Sequence, residues 1–326
     1  MRYLVNDSTD ACRNMAFDEF ALESLPLDEP VFYLWRNAPS VIIGLNQNAY
    51  AEVNLGYLSE HGIALARRVT GGGAVYHDLQ NLNYTIVGRS RDLNSDYPDY
   101  LHFMVNALRK LGVPAELSGR NDIMVEGRKC SGYAKRVWKD RLMVHGTLMF
   151  DVDLSVLQQV LSVPGSKMAA AGVASVRSKV ANLKDYLPQY QTVLQLKNAL
   201  HDMLSDGDSQ VFLTPEQLAS VEEMAERKFR SWDWIYGRSP EADFKAVRKF
   251  ACGTVELSWS VRHGLLDDVR FGGDFLGNLP AEGLASRLDG LRFERSSIIA
   301  AIKDIRISDY FDGLSVEDLA SLFEEK

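Results

Sequence analysis

Three cysteines, Cys12, Cys130 and Cys252, stand far apart in a chain of 326 residues. That is too few for a disulfide framework, and the spacing fits no zinc site. Long hydrophobic runs are missing as well. Apolar stretches such as Val41–Ile43 fall far short of the ~20 residues that cross a bilayer, so no membrane partner is expected. Positive charge is not in excess: 36 Lys and Arg against 44 Asp and Glu leave a net charge of −8. A basic surface that tracks nucleic acid is thereby disfavoured. The phosphate-loop pattern G-x-x-x-x-G-K-[S/T] is absent. There is no internal repeat and no low-complexity segment. The opening Met-Arg-Tyr-Leu-Val-Asn-Asp turns acidic too soon for a signal peptide. A cytoplasmic protein is expected, with monomer as the default.

What remains is an ordinary globular composition, 46% hydrophobic and 25% charged. Met15, Phe17, Phe20, Ala21 and Leu25 recur at roughly helical spacing until Pro26. Strand-like runs follow at Val31–Trp35, Val41–Leu45, Ile63–Arg67 and Leu82–Val87. Leu101–Leu111 reads as a helix capped by Gly112, with Pro98 in its first turn. Asp122–Asp151 reads as a meander turned at Glu126-Gly127 and Lys139-Asp140. Such hairpins mean antiparallel pairing, hence an α+β fold with mixed, largely antiparallel sheets rather than a doubly wound one. Helices are expected at Asp153–Leu161, Val193–Leu204 and Pro215–Phe229, the last behind a Thr214 capping box. The pattern changes near Gly237–Pro240. A hairpin follows, Gly253–Val261 with Leu266–Phe271, and then helices at Leu279–Leu288, Ser296–Ile307 and Val316–Lys326. Two domains result: 1–240, and a small α+β domain, 241–326.

Four segments concentrate chemistry. In Arg67-Arg68-Val69-Thr70-Gly71-Gly72-Gly73-Ala74-Val75-Tyr76-His77-Asp78, three glycines let backbone N–H groups approach a ligand closely. Such groups form an anion-binding concavity, and the arginines add charge suited to phosphate or carboxylate. A lone triple glycine would be a plain turn; the flanking basic and His-Asp residues favour a site. The second segment is Gly119-Arg120-Asn121-Asp122 with Lys129-Cys130-Ser131-Gly132-Tyr133-Ala134. Asn121 and Asp122 either bond neighbouring backbone or hold a metal or polar ligand group. Lys129, on this segment alone, is better explained as a solvated lysine. The third is His145-Gly146-Thr147, where glycine again suggests close backbone approach. The fourth, 167–183, is rich in small residues with spaced basic ones. It is either an exposed linker or a flap that closes over an anion.

Together these segments resemble lipoate–protein ligases that activate free lipoate, and the resemblance runs over nearly the whole chain. The family's Arg-Arg-x-[Ser/Thr]-Gly-Gly-Gly-Ala-Val-x-His-Asp run, with Asn-x-Asn, is similar to Arg67–Asp78 with Asn81 and Asn83. Its other elements are matched by Arg120–Asp122, Lys129–Ala134, His145–Leu148, Ser175–Leu183 and Trp232–Pro240. The resemblance implies a biotin/lipoate-ligase (class II synthetase-like) catalytic fold with a C-terminal accessory domain. It implies ATP and Mg²⁺ as cofactors, lipoate as substrate, and apo lipoyl-acceptor proteins as partners: E2 subunits of 2-oxoacid dehydrogenases and the glycine-cleavage H protein. Lys129 would contact both the lipoyl carboxyl and the α-phosphate and is the expected catalytic residue. The lipoate site would comprise Arg68, Thr70, Gly71, Gly72, Gly73, Ala74, Val75, His77, Asn83, Ser131, Gly132, His145 and Gly146. ATP and adenylate would be held by Tyr76, Asp78, Asn81, Asn121, Asp122, Lys129, Ala134, Thr147, Lys167, Ser175, Val176, Arg177, Lys179 and Val180, with Asp122 a metal ligand.

Departures from the family pattern are Gln80, Cys130 and Tyr133, and Tyr133 would narrow the pocket beside Lys129. The nearest alternative is an octanoyl or lipoyl carrier-to-protein acyltransferase of the same fold, working without ATP through a cysteine ahead of the key lysine. Glu116–Val125 contains no cysteine, and Cys130, next to Lys129 on a strand, would face away from it. A biotin–protein ligase lacks support because its glycine/arginine-rich loop is not seen. A non-catalytic lipoate- or acceptor-binding protein would be marked by loss of Lys129 or the flap, and both are present.

Overall fold

The computed structural model describes all residues except 91–92, 119–121, 162–179, 206–209, 240–241, 276–277 and 325–326. Two compact units emerge. One contains Met1–Leu45, Leu58–Leu161 and residues 180–231; the other contains Asn46–Tyr57 and Trp232–Lys326. Among the described residues no helix is long and apolar enough to cross a membrane.

The strands of the first unit are β1 (Arg2–Leu4), β2 (Val31–Trp35), β3 (Ser40–Ile43), β4 (Ala64–Arg67), β5 (Val75–His77) and β6 (Asn81–Arg89). After them come β7 (Ala115–Leu117), β8 (Asp122–Val125), β9 (Arg128–Trp138), β10 (Arg141–Met149) and β11 (Gln210–Val211). Eight of them form one sheet in the order β11-β1-β2-β6-β10-β9-β8-β7, and three form a second in the order β4-β3-β5. Most pairings are antiparallel, as expected. The exceptions, β1 with β2, β1 with β11 and β3 with β4, run parallel. The two-residue turns Glu126-Gly127 and Lys139-Asp140 lie where the sequence places them. Glu126 and Gly127 both have positive φ, 51° and 74°, the twist-matched hairpin geometry.

One hydrophobic core joins the large sheet to the helices Leu93–Lys110 and Val193–Leu204, through residues such as Leu34, Tyr84, Val144, Met104, Leu108, Leu196 and Leu200. The first of these helices starts at Leu93, so Pro98 lies beyond its first turn, where one backbone donor is lost. Helix α1 (Ala11–Glu23) is capped by the Asp10 carboxylate, which accepts from Arg13 N. It is buried on nearly every side, polar Asn14, Asp18 and Glu19 included. A helix that buries polar groups must find partners for them, and those partners build the site below.

In the second unit β12 (Ala242–Phe250), β13 (Gly253–Arg262) and β14 (Leu265–Gly273) make a meander. The sequence supplies only the last two strands, since β12 lacks clean alternation. His263 and Gly264, at φ 50° and 76°, turn β13 into β14. Val255, Leu257 and Trp259 pack with Leu284, Ile298, Ile302, Phe311 and Leu319. The helices are shorter than their apolar periodicity suggests: Glu282–Leu288, Arg295–Ile302 and Val316–Leu322. Similarly, Pro215–Met224 is α-helical, but Ala225–Phe229 widens into a π turn.

Candidate functional site

A cavity of about 120 Å³ lies within the first unit. Its mouth carries the half-exposed Lys129, and its floor is lined by Met15, Trp35 and Ile42, all buried. Four stretches meet there: Arg68 with Gly72–Val75 and His77, then Asn83, then Lys129 with Gly132–Ala134, then His145–Thr147.

Lys129 reaches this cavity because of a slip in register. Asp122 and Ile123 of β8 oppose Gly132 and Ser131, but Met124 and Val125 oppose Lys129 and Arg128, so Cys130 has no opposite number. Side chains alternate along a regular strand, which would put Lys129 on the other face from Gly132 and Ala134. The extra residue reverses that parity, and all three line the cavity. Cys130 turns into the hydrophobic core, where burial pushes its thiol up to about 12. No nucleophile is offered there. The ammonium of Lys129 lies 2.7 Å from Asp122 Oδ1. It also lies over Gly132, where a Cβ would come within 2.9 Å of Nζ.

The triple-glycine loop is built from within. Gly72 has φ +95°, a conformation L side chains rarely adopt. Arg68 bonds the carbonyls of Ile42, Gly71 and Gly73 and the hydroxyl of Thr70. Burial lowers its pKa to about 10, so it stays charged. Arg67, fully buried, donates to the carbonyls of Gly44 and Leu45. Arg68 thus clamps the backbone of the glycine loop and Arg67 that of the Gly44-Leu45 segment, roles the sequence does not distinguish from anion binding.

Behind the wall runs a buried network. The Asp18 carboxylate accepts from Tyr33 Oη at 2.6 Å and Thr85 Oγ1 at 3.1 Å, and lies 2.7 Å from His145 Nδ1. His145 Nε2 is 2.7 Å from Thr70 Oγ1. Burial first, and then Asp18, push the Tyr33 phenol well above its ordinary value, so it remains a donor. Asp18 carries a sequence signal of its own: it sits three residues from both Met15 and Ala21, on the apolar face of the helix. Met15, Trp35 and Ile42 have none, because pocket-lining and core apolar residues look alike in sequence.

Of the residues expected from sequence, Arg68, Gly72, Gly73, Ala74, Val75, His77, Asn83, Lys129, Gly132, Ala134, His145, Gly146 and Thr147 come together around the cavity. Others support it from behind. Thr70 meets His145, the Gly71 carbonyl takes Arg68, Asn81 donates to Asn83 Oδ1, and the Gly132 amide donates to Thr147. Asp78 accepts from the backbone of Gln80 and Asp153, while Tyr76 and Ser131 are buried beside the cavity rather than lining it. Val180 bridges the backbone of Lys129, and Ala181 N donates to Lys129 O at 2.8 Å. Arg120, Asn121, Lys167, Ser175, Val176, Arg177 and Lys179 lie outside the described residues.

Among the described residues, no three His, Cys, Asp or Glu side chains converge to hold a metal ion. Magnesium accompanying a nucleotide needs only one or two carboxylates besides phosphate oxygens. Asp122 fits that modest demand: it is part-exposed, with its Oδ1 2.7 Å from Lys129 Nζ.

A cation at the mouth of a buried, apolar-floored cavity suits an organic anion with an apolar tail. Residues 10–205 match the lipoyl protein ligase A/B catalytic domain, and residues 239–323 match the bacterial lipoate protein ligase C-terminus. The chain is 34% identical over 317 residues to lipoate-protein ligase LplJ of Bacillus subtilis, covering 95% of each. It is 36% identical over 328 residues to lipoate–protein ligase 1 of Staphylococcus aureus, covering 99% of each. A bipartite lipoate protein ligase of Thermoplasma acidophilum, analysed with its E2 lipoyl domain, superposes with a TM-score of 0.67 at 32% identity, over 73% of this chain and 97% of that one. A lipoate-protein ligase A bound with ATP gives 0.63 at 31%, over 73% and 98%. The chain belongs to the lipoate–protein ligase family, a family of enzymes.

Proposed function

We propose that the protein is an ATP-dependent lipoate–protein ligase that forms lipoyl-AMP and transfers the lipoyl group to a lysine of an acceptor domain. One observation carries this reading: Lys129 stands at the mouth of a cavity whose floor is apolar, on the rim formed by Gly132, Ala134 and Thr147. A carboxylate and a phosphate repel each other, and a cation between them offsets the repulsion. The lipoyl tail would lie on Met15, Trp35 and Ile42, with its carboxylate near Lys129. The carboxylate oxygen attacks the α-phosphorus of ATP, the bond to the β-phosphate oxygen breaks, and pyrophosphate leaves. The ε-amine of the acceptor lysine then attacks the mixed anhydride, loses a proton, and AMP leaves. Lys129 serves the first step by stabilising charge on the α-phosphoryl oxygens, and positioning supplies most of the rate. A magnesium ion, held by Asp122, would neutralise phosphate charge.

The remaining assignments belong to the same proposal. The glycine loop and Asn83 would line the lipoate site; Asp122, Ala134, Thr147 and Val180, with the 167–179 segment, would hold the adenylate. Catalysis falls to residues 1–240 and an accessory role to 241–326. Acceptors would be E2 lipoyl domains and the H protein, as the E2 partner of the Thermoplasma relative suggests. Three free cysteines suit a reducing cytoplasm. The alternative transferase, which needs a cysteine nucleophile, is disfavoured by a Cys130 buried in the core.

The test is incubation with ATP, Mg²⁺, lipoate and an apo acceptor domain, read by intact mass. Addition of one lipoyl group only with ATP is expected. Acylation from an octanoyl carrier protein without ATP would point to the transferase, and no modification to a binding protein. Lys129→Ala should lose about 3–4 kcal/mol of transition-state stabilisation, by analogy with oxyanion-hole donors, with the fold unchanged. Undiminished pyrophosphate release would remove Lys129 from the role.

A further inference from the structure

The floor of the cavity contains a donor with no partner. His77 lines it, and its Nε2 is buried without a hydrogen-bond partner among the described residues. Which ring nitrogen carries the proton can be worked out from its neighbours. Asn14 Nδ2 faces two backbone carbonyls, Ser8 O and Arg36 O, each at 3.0 Å, so that atom must be the amide nitrogen. The same Nδ2 donates to Asn37 Oδ1 at 2.8 Å. Asn37 therefore turns its Nδ2, a donor only, toward His77 Nδ1 at 3.1 Å. Nδ1 accepts, and the ring proton sits on Nε2. Burial, then Arg68 and His145, lower the pKa of His77 to about 3. At neutral pH the ring is a fixed, uncharged N–H donor.

Its surroundings are apolar. The Trp35 ring meets it edge-on at 6.2 Å between centroids, and Met15 and Ile42 line the same floor. Lys129, the cation for the ligand's carboxylate, is at the exposed mouth, so the end of the ligand near His77 is its tail. A straight alkyl tail brings no acceptor and leaves the buried N–H unpaired. A cyclic disulfide brings sulfur, a weak acceptor. A site built around a donor discriminates against the analogue that lacks its partner.

We propose that the His77 Nε2–H donates a hydrogen bond to a sulfur of the lipoyl dithiolane, making His77 the residue that selects lipoate over a straight-chain eight-carbon acid. This rests on the lipoate-ligase reading above. The experiment measures kcat/KM of the full chain for lipoate and for octanoate, with ATP, Mg²⁺ and an apo acceptor domain. Wild type should favour lipoate by roughly tenfold or more, the scale of one buried donor left unpaired. His77→Phe, which keeps a ring against Trp35 but has no N–H, should collapse that ratio toward one. ¹⁵N spectra of the wild-type histidines supply a second readout. They should show the Nε2–H form of His77, with a shift on adding lipoate that octanoate does not produce. A ratio unmoved in His77→Phe, an Nδ1–H ring, or identical shifts with the two acids overturns the role of His77 while leaving the ligase reading intact. Turnover of neither acid by wild type overturns both.

Discussion

Asp18 offers the sharpest check on how the pocket wall is held. Its carboxylate has contacts to three buried donors, Tyr33 Oη at 2.6 Å, His145 Nδ1 at 2.7 Å and Thr85 Oγ1 at 3.1 Å. Asp18→Ala leaves all three without that acceptor. Removing one partner from a buried charged network costs ~3–5 kcal/mol, a large part of the ~5–15 kcal/mol by which a typical domain is stable. Asp18→Asn is a different perturbation. Its amide oxygen can still accept from Tyr33 and Thr85, while its NH₂ faces His145 Nδ1. The ring proton must then move to Nε2, where Thr70 Oγ1, 2.7 Å away, accepts it. One hydrogen bond is weakened and the Thr70 hydroxyl loses the ring nitrogen as its acceptor, so the cost should be ~1–3 kcal/mol, below that of the alanine variant. Urea unfolding of the full chain, followed by fluorescence and far-UV dichroism, measures both. The alanine variant should unfold at a clearly lower midpoint than the asparagine variant. Equal losses for the two, or less than about 1 kcal/mol for alanine, would refute the network as the support of this wall.

Gly132→Ala puts a Cβ within 2.9 Å of Lys129 Nζ; pyrophosphate release should fall about tenfold or more, as a misplaced catalytic group does, with little change in thermal midpoint, and unaltered kinetics would show that Lys129 does not need the space over Gly132. For His77 the folded pKa of about 3 lies below the ordinary 6.5. Its contribution to stability is therefore fully present above pH 6.5 and is lost as pH falls toward 3. Between pH 6.5 and 4.5 the unfolding free energy should drop with a slope approaching ~1.4 kcal/mol per pH unit, and His77→Phe should flatten it; an identical slope in the variant would contradict the assignment. Burial raises the Cys12 and Cys130 thiols to about 11 and about 12. Neither should react appreciably with a thiol reagent at pH 8 until the chain is unfolded, and fast labelling of Cys130 in the native protein would place it outside the core.

Elements whose signal is local were legible in the sequence. Val31–Trp35 and Val193–Leu204 stand where periodicity puts them, because a strand or helix with one strong pattern needs nothing from elsewhere to define it. The hairpin turns at 126–127 and 263–264 were legible because positive φ is a property of those few residues. The strand β12 and the parallel pairing of β1 were not, since edge pairing depends on partners distant in the chain. Among site residues, the glycines announced themselves by unusual local chemistry, whereas Lys129 stood out only through the family resemblance. Met15, Trp35 and Ile42 did not, because an apolar side chain reads the same whether it faces a core or a cavity.

The sequence by itself determined which family this chain joins, since ordered motifs from Arg67 to Leu183 survive independent of any coordinates. It also determined the α+β class, because hairpin turns and alternation are written locally. Only the tertiary structure decided what the motif residues do. The unpaired Cys130 brings Lys129 onto the face of Gly132 and Ala134, which simple alternation would forbid. Arg67 and Arg68 close on backbone carbonyls, and Asp18, from a helix far away in sequence, meets His145. Register slips, burial and the choice of hydrogen-bond partner arise between segments, so no single segment can encode them.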